Sequence, residues 1–186
     1  ARGFDMKVLY SSRSRKPEAE REYGLEWREL DALLSESDFV GIMTPYTAET
    51  KNLISHRELA RMKRTAVLIN TARGGIVDEE ALYDALKQGT IHAAGLDVFA
   101  QEPIQPNHPL LTLPNVVVLP HIGSASVRTR TQMAMIAAHN VIALQMAGAR
   151  KRGKIVLDEP ALGNLQLIHG TSFVLLDFGL RLFGQM

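Results

Sequence analysis

Short, almost wholly apolar runs recur along the chain: MKVLY (6–10), DFVGIMT (38–44), AVLIN (66–70), HAAGLDVF (92–99) and NVVVLP (115–120). None shows the in/out alternation of a sheet with one wet face. Continuous apolar strands are expected in a parallel sheet whose two faces are both covered by helices. Between the runs lie REYG with ELDALLSES, then SHRELARMK, then DEEALYDALKQG, with Leu and Ala at helical spacing and ends on Gly or a basic residue. Further on, VRTRTQMAMIAAHNVIALQMAG predicts one long helix. Strand and helix in alternation imply an α/β fold of the Rossmann type, a doubly wound parallel sheet with right-handed crossovers. In such sheets ligands sit beyond the carboxyl ends of the strands.

That rule selects the residues to read. SSRSRK follows the first run, PYT the second, TARGG the third, AQEP the fourth and HIGSAS the fifth. Any one polar loop is unremarkable, because loops lie on the surface. Five delivered to one edge mark a candidate site.

Composition narrows the classes. Of 186 residues, 46% are hydrophobic, enough for an ordinary core. Twenty-one basic side chains against twenty acidic ones leave a formal charge of +1, so bulk charge supplies no reason to expect a nucleic acid or membrane surface as partner. With no cysteine, disulfides and thiolate metal sites are excluded. No charged segment followed by an apolar stretch opens the chain as a secretory signal does, and a cytoplasmic location is expected. The chain starts at Ala1 in the middle of a pattern, and a missing natural N-terminus is expected. Residues 164 to 183 are apolar but broken by His169, Asp177 and Arg181, which argues against a membrane span.

TARGGIVDEEAL, GLDVFAQEP and LPHIGSAS, in this order and spacing, resemble the nucleotide-binding domain of the D-2-hydroxyacid dehydrogenases. Within that family LYSSRSRKPEAE is similar to the second-strand turn of glyoxylate and hydroxypyruvate reductases. The resemblance covers about residues 1–148 and leaves 149–186 as a tail that does not match. The Gly-rich phosphate loop that should precede MKVLY is absent, as is the family's substrate lobe. An exposed strand edge, self-association and no useful turnover by the chain alone are therefore expected.

The resemblance implies a catalytic set of Arg73, Glu102 and His121. A guanidinium is always charged and can fork to the carboxylate of a 2-oxoacid while holding its carbonyl. Arg73 precedes Gly74 and Gly75, which let backbone approach closely. The plainer reading of Arg73 is a surface arginine paired with Asp78 or Glu79. His121, after Pro120, can donate a proton to the carbonyl oxygen as hydride reaches carbon, and Glu102 would orient it. The other histidines, at 56, 92, 108, 139 and 169, read as structural or solvent-facing, and no two share metal-ligand spacing.

Hydride transfer requires a nicotinamide nucleotide. In dinucleotide folds a carboxylate after the second strand takes the ribose 2′-hydroxyl, whereas basic and hydroxyl groups accommodate a 2′-phosphate. Here Ser12, Arg13 and Ser14 occupy that turn with no carboxylate until Glu18, favouring NADP over NAD. The family's pattern sets Thr44 and Pro45 along the adenosine side, Thr71 and Ala72 near the nicotinamide, and Ile122 and Gly123 beside His121. It sets Asp97 at the carboxamide or its ribose, although Asp97 also suits a turn at a strand end. The expected activity is reduction of a small 2-oxoacid, glyoxylate or hydroxypyruvate, to the D-2-hydroxyacid by a homodimeric parent. Phosphoglycerate and phosphite dehydrogenases resemble this chain in the same triad, and an alternative of another class is a nucleotide-sensing binding protein like the corepressors that resemble the family and keep its triad.

Overall fold

The computed structural model describes residues 1–151, which fall into two compact units with a boundary between His121 and Ile122. The first unit opens with β1 (Leu9–Tyr10), α1 (Pro17–Tyr23) and β2 (Glu26–Trp27), with β1 and β2 paired in parallel. It continues with α2 (Leu30–Glu36), β3 (Phe39–Ile42), α3 (His56–Leu59), β4 (Val67–Asn70), α4 (Glu79–Lys87), β5 (Ala93–Leu96) and β6 (Val116–Val118). These last four strands form a parallel sheet in the order β3-β4-β5-β6. The second unit contains α5 (Val127–Lys151). The remainder of the tail, 152–186, with its apolar run at 164–183, lies outside the described residues. Among the described residues no helix is long and apolar enough to cross a membrane.

All five expected strands are present, and the α/β class with parallel strands holds. Two details differ. The strands make two separate hydrogen-bonded sheets, and β2 was not expected at all. Glu26 and Trp27 form a strand of two residues beside charged neighbours, so there was no apolar run to reveal it.

Cover on both faces is expected; among the described residues the packed core lies on one of them. Val40, Leu68 and Ala94 stand side by side in the pairing register with Val116, and Ile42, Asn70 and Leu96 with Val118. The first three residues of each row are buried. Leu34 of α2, Leu59 of α3 and Leu82 and Leu86 of α4 join them in one core. Helix α4 supplies Ala81, Leu82, Ala85 and Leu86, the stripe that a 3.6-residue period sets on one side. The residues between face the other way, and there Phe39 and Val117 are 57% and 66% exposed.

Helix α4 is held at its start. Asp78 caps it by accepting the Ala81 N–H, and Asp78 also accepts the Ser55 hydroxyl at 2.9 Å. Ser55 and Glu58 form a capping box at the start of α3. Leu82 is wholly enclosed, so Leu82→Ala should cost about 2–5 kcal/mol of unfolding free energy by urea denaturation. A loss below about 1 kcal/mol would show that α4 is not packed as described.

Candidate active site

The register aligns the last residues of the four strands, Ile42, Asn70, Leu96 and Val118, in one row. The segments after them, carrying Thr44, Thr71, Asp97 and His121, therefore leave from one edge. Parallel strands about 4.8 Å apart keep such a row narrow.

The turn after β4 is tied by Asn70, a residue not expected to matter. Asn70 is 2% exposed; its side-chain oxygen accepts the Ala72 N–H at 3.1 Å and its amide donates to the Arg73 carbonyl at 3.0 Å. The signal was an amide closing an otherwise apolar strand, which suits a residue that bonds backbone two or three positions on. Gly74 then passes against the next loop. A Cβ there would lie 1.8 Å from the Phe99 carbonyl oxygen, so only glycine fits. Gly75 has φ +76 and sits under the Tyr46 ring.

Arg73 emerges exposed from this turn and donates from Nη1 to the Ala72 carbonyl at 2.6 Å. Its expected surface partners are engaged elsewhere. Asp78 caps α4, while Glu79 accepts the Ala100 N–H at 2.6 Å and lies 3.2 Å from His108 Nε2. Among the described residues Arg73 forms no ion pair, so its charge is available to an anion.

His121 follows β6 with φ +54, a left-handed conformation that few side chains other than Asn, Asp and His adopt. Its Nδ1 meets Glu102 Oε2 at 2.7 Å, and Glu102 Oε1 accepts the Phe99 N–H at 3.0 Å. Both carboxylate oxygens are thereby used. A carboxylate at Nδ1 puts the proton on that nitrogen and leaves Nε2 as the working atom. The pair is partly open to water, His121 at 46% and Glu102 at 36%. Partial burial pushes the Glu102 carboxyl up, but the His121 hydrogen bond, the Phe99 N–H and the charges of His121 and Arg73 outweigh it and hold the carboxyl below its ordinary range.

At the β1 end, Ser12 donates to the Ser14 carbonyl at 2.7 Å. Arg15 is committed, forking to Glu20 through Nε at 3.1 Å and Nη2 at 2.6 Å and lying over the Trp27 ring. Tyr10 completes the tie, donating to Glu20 at 2.6 Å and accepting the Lys16 N–H. Arg15 and then Tyr10 hold the Glu20 carboxyl low. Arg13, exposed, makes no hydrogen bond among the described residues; its charge acts on Glu49, whose carboxyl is lowered first by Thr47.

The other candidates are distributed as follows. Thr44 and Pro45 are half-buried, and the Pro45 carbonyl accepts the Thr50 hydroxyl at 2.8 Å. Thr71 is exposed and Ala72 half-buried. Asp97 is 4% exposed, with its N–H on the Asn70 carbonyl at 3.0 Å. Ile122 and Gly123 belong to the second unit, where the Ile122 carbonyl accepts the Ala125 N–H.

Residues 1–123 match the family model described as D-isomer specific 2-hydroxyacid dehydrogenase, NAD binding domain. The chain belongs to that family. Over 168 residues it is 50% identical to a glyoxylate reductase of Korarchaeum cryptofilum, covering 90% of this chain and 48% of the relative. The NADPH-dependent glyoxylate/hydroxypyruvate reductase of Sinorhizobium meliloti, solved with NADP and malonate, superposes with TM-score 0.70 at 37% identity, over 76% of this chain and 43% of that one. D-lactate dehydrogenase of Lactobacillus jensenii, solved with NAD+, gives TM-score 0.69 at 33% identity, over 77% and 46%. The chain thus spans less than half the length of each of these dehydrogenases. Both nucleotides occur among its relatives.

Two outcomes follow for this dehydrogenase domain. Gly74→Ala should destabilise it by about 1–3 kcal/mol or more in urea denaturation, since backbone rather than a flexible side chain obstructs the new methyl. A depressed Glu102 pKa contributes stability that is present above the unfolded carboxylate range and lost as pH falls through the folded value. The parent should therefore lose more stability than Glu102→Gln between about pH 6 and pH 3. Parallel loss in both would mean that the pair is not formed.

Proposed function

We propose that this chain is the nucleotide-binding part of an NADPH-preferring reductase that converts a small 2-oxoacid, glyoxylate or hydroxypyruvate, to the D-2-hydroxyacid. The observation that carries the reading is the Glu102 and His121 pair at the same strand edge as Arg73, which has no ion-pair partner among the described residues. A bound nicotinamide nucleotide supplies the hydride. Arg73 binds the substrate carboxylate, for which a planar fork is suited. His121 gives its Nε2 proton to the carbonyl oxygen, and Glu102 holds the ring at Nδ1. The chemistry of the β1 turn fits the nucleotide, with Ser12 and Ser14 hydroxyls, an Arg13 free to meet a phosphate, and Arg15 fastened so that the turn keeps its shape. Thr44, Pro45, Thr71, Ala72, Asp97, Ile122 and Gly123 complete the proposed nucleotide contacts. Self-association belongs to the same reading, supported by exposed apolar side chains along α5, among them Val127, Met135, Ile142 and Leu144.

Cofactor preference is tested by titrating NADPH and NADH by fluorescence against the parent and Arg13→Asp. Losing a charged hydrogen bond costs about 1.5–3 kcal/mol, so NADPH should weaken roughly 10- to 100-fold more than NADH. Equal loss removes the assignment. Turnover is tested on the full-length gene product with glyoxylate, hydroxypyruvate and other 2-oxoacids. Reduction of glyoxylate or hydroxypyruvate that collapses in His121→Ala is expected. Nucleotide binding with partner capture and no turnover of any 2-oxoacid would replace the enzyme by a nucleotide-sensing corepressor.

A further inference from the structure

Resting on that reading, we propose that Glu79 is a positioning residue for the catalytic set, acting through the Phe99–Ala100 peptide to hold both Glu102 and the Arg73 turn. The peptide is gripped from four sides. Its carbonyl oxygen, on Phe99, lies where a Cβ of Gly74 would have to be, so the turn that carries Arg73 rests directly on it. The Phe99 N–H, immediately before it, goes to Glu102 Oε1 at 3.0 Å. Its own N–H, on Ala100, goes to Glu79 Oε1 at 2.6 Å. The Phe99 ring meets the His108 ring edge-on with centroids 6.2 Å apart.

Glu79 has the right footing for this. It is the first residue of α4, behind an Asp78 cap that also holds Ser55, and ahead of Ala81 and Leu82, both fully buried. Its second oxygen faces His108 Nε2 at 3.2 Å, and His108 Nδ1 accepts the Leu110 N–H at 3.3 Å. A ring that accepts at Nδ1 must carry its proton at Nε2, so His108 donates to Glu79 as a neutral imidazole. The carboxylate is thus held in place and spans two elements, the Ala100 loop and the turn before Pro109. A carboxylate bonded to a backbone N–H is stronger than a neutral acceptor, and the first turn of a helix favours its charge.

Two successive amides, Phe99 and Ala100, are therefore fastened to two different carboxylates, one in the catalytic pair and one in the scaffold. If the Ala100 anchor is released, the peptide rotates, the Phe99 N–H leaves Glu102, and Gly74 loses the surface it rests on. Glu79 itself touches neither the substrate carbonyl nor His121. Its effect travels through geometry.

The experiment follows the side-chain carboxyl carbon of Glu102 by 13C NMR against pH in the 186-residue chain, comparing the parent with Glu79→Ala, Glu79→Asp, Glu79→Gln and His121→Ala. The charged groups near Glu102, His121 and Arg73, are unchanged in every Glu79 variant. Glu79→Ala should move the Glu102 midpoint upward, because the Phe99 hydrogen bond that favours the carboxylate is lost. Glu79→Asp keeps the charge but is one methylene short of bridging Ala100 and His108, and should move it the same way. Glu79→Gln keeps a carbonyl for the Ala100 N–H but turns its NH2 to the His108 N–H, and should move the midpoint clearly less than Glu79→Ala does. A folded Glu79→Ala, or a folded Glu79→Asp where the alanine variant does not fold, with an unmoved midpoint would overturn the proposal. A Glu79→Gln midpoint raised as far as that of Glu79→Ala would overturn it too. The His121→Ala control isolates the earlier reading: no upward shift there would mean that the pair itself is absent, whatever Glu79 does.

Discussion

The site depends on the in-register pairing of four parallel strands. Because Ile42, Asn70, Leu96 and Val118 end side by side, loops that are far apart in sequence begin from a common line. A one-residue slip of any strand would turn its buried side chains outward, so the core that Leu68, Leu82 and Leu96 share also enforces the alignment. The geometry of the proposed catalytic groups is thereby tied to hydrophobic burial several residues away.

Beyond the strand ends, short polar ties take over from packing. Asn70 closes the Arg73 turn, Thr50 holds the Pro45 loop, and Glu102 and Glu79 hold consecutive amides of the loop after β5. Each tie satisfies a backbone group that would otherwise be unpaired, which is why loops of this kind keep one shape. Arg15, Glu20 and Tyr10 do the same for the first turn.

Much of this was legible in the sequence, and the reasons differ by element. Five strands were visible because a buried parallel strand writes itself as an apolar run. Strand β2 was not, since two residues, one of them a glutamate, followed by Arg28 and Glu29 carry no periodicity. Arg73, Glu102 and His121 could be named because their motifs occur together in order, and the 2.7 Å contact between Glu102 and His121 brings together residues that no spacing rule connects. Asn70, Glu79 and the fastening of Arg15 stayed hidden. Their partners are backbone groups or residues of another loop, and a contact between Glu79 and Ala100 leaves no periodic trace in the chain. The SSRSRK run likewise reads as three equivalent cations, while folding commits one of them and leaves another open.

The left-handed backbone at His121 sets evolution two opposed tasks at one position. Glycine or asparagine would sit there with less conformational cost, so selection for heat resistance alone would tend to replace the imidazole. On the proposed role of His121 as proton donor, a lineage that keeps histidine in that conformation accepts a locally less comfortable chain in return for that chemistry, and ancestral or consensus redesign of this domain should treat the position as set by chemistry rather than by stability.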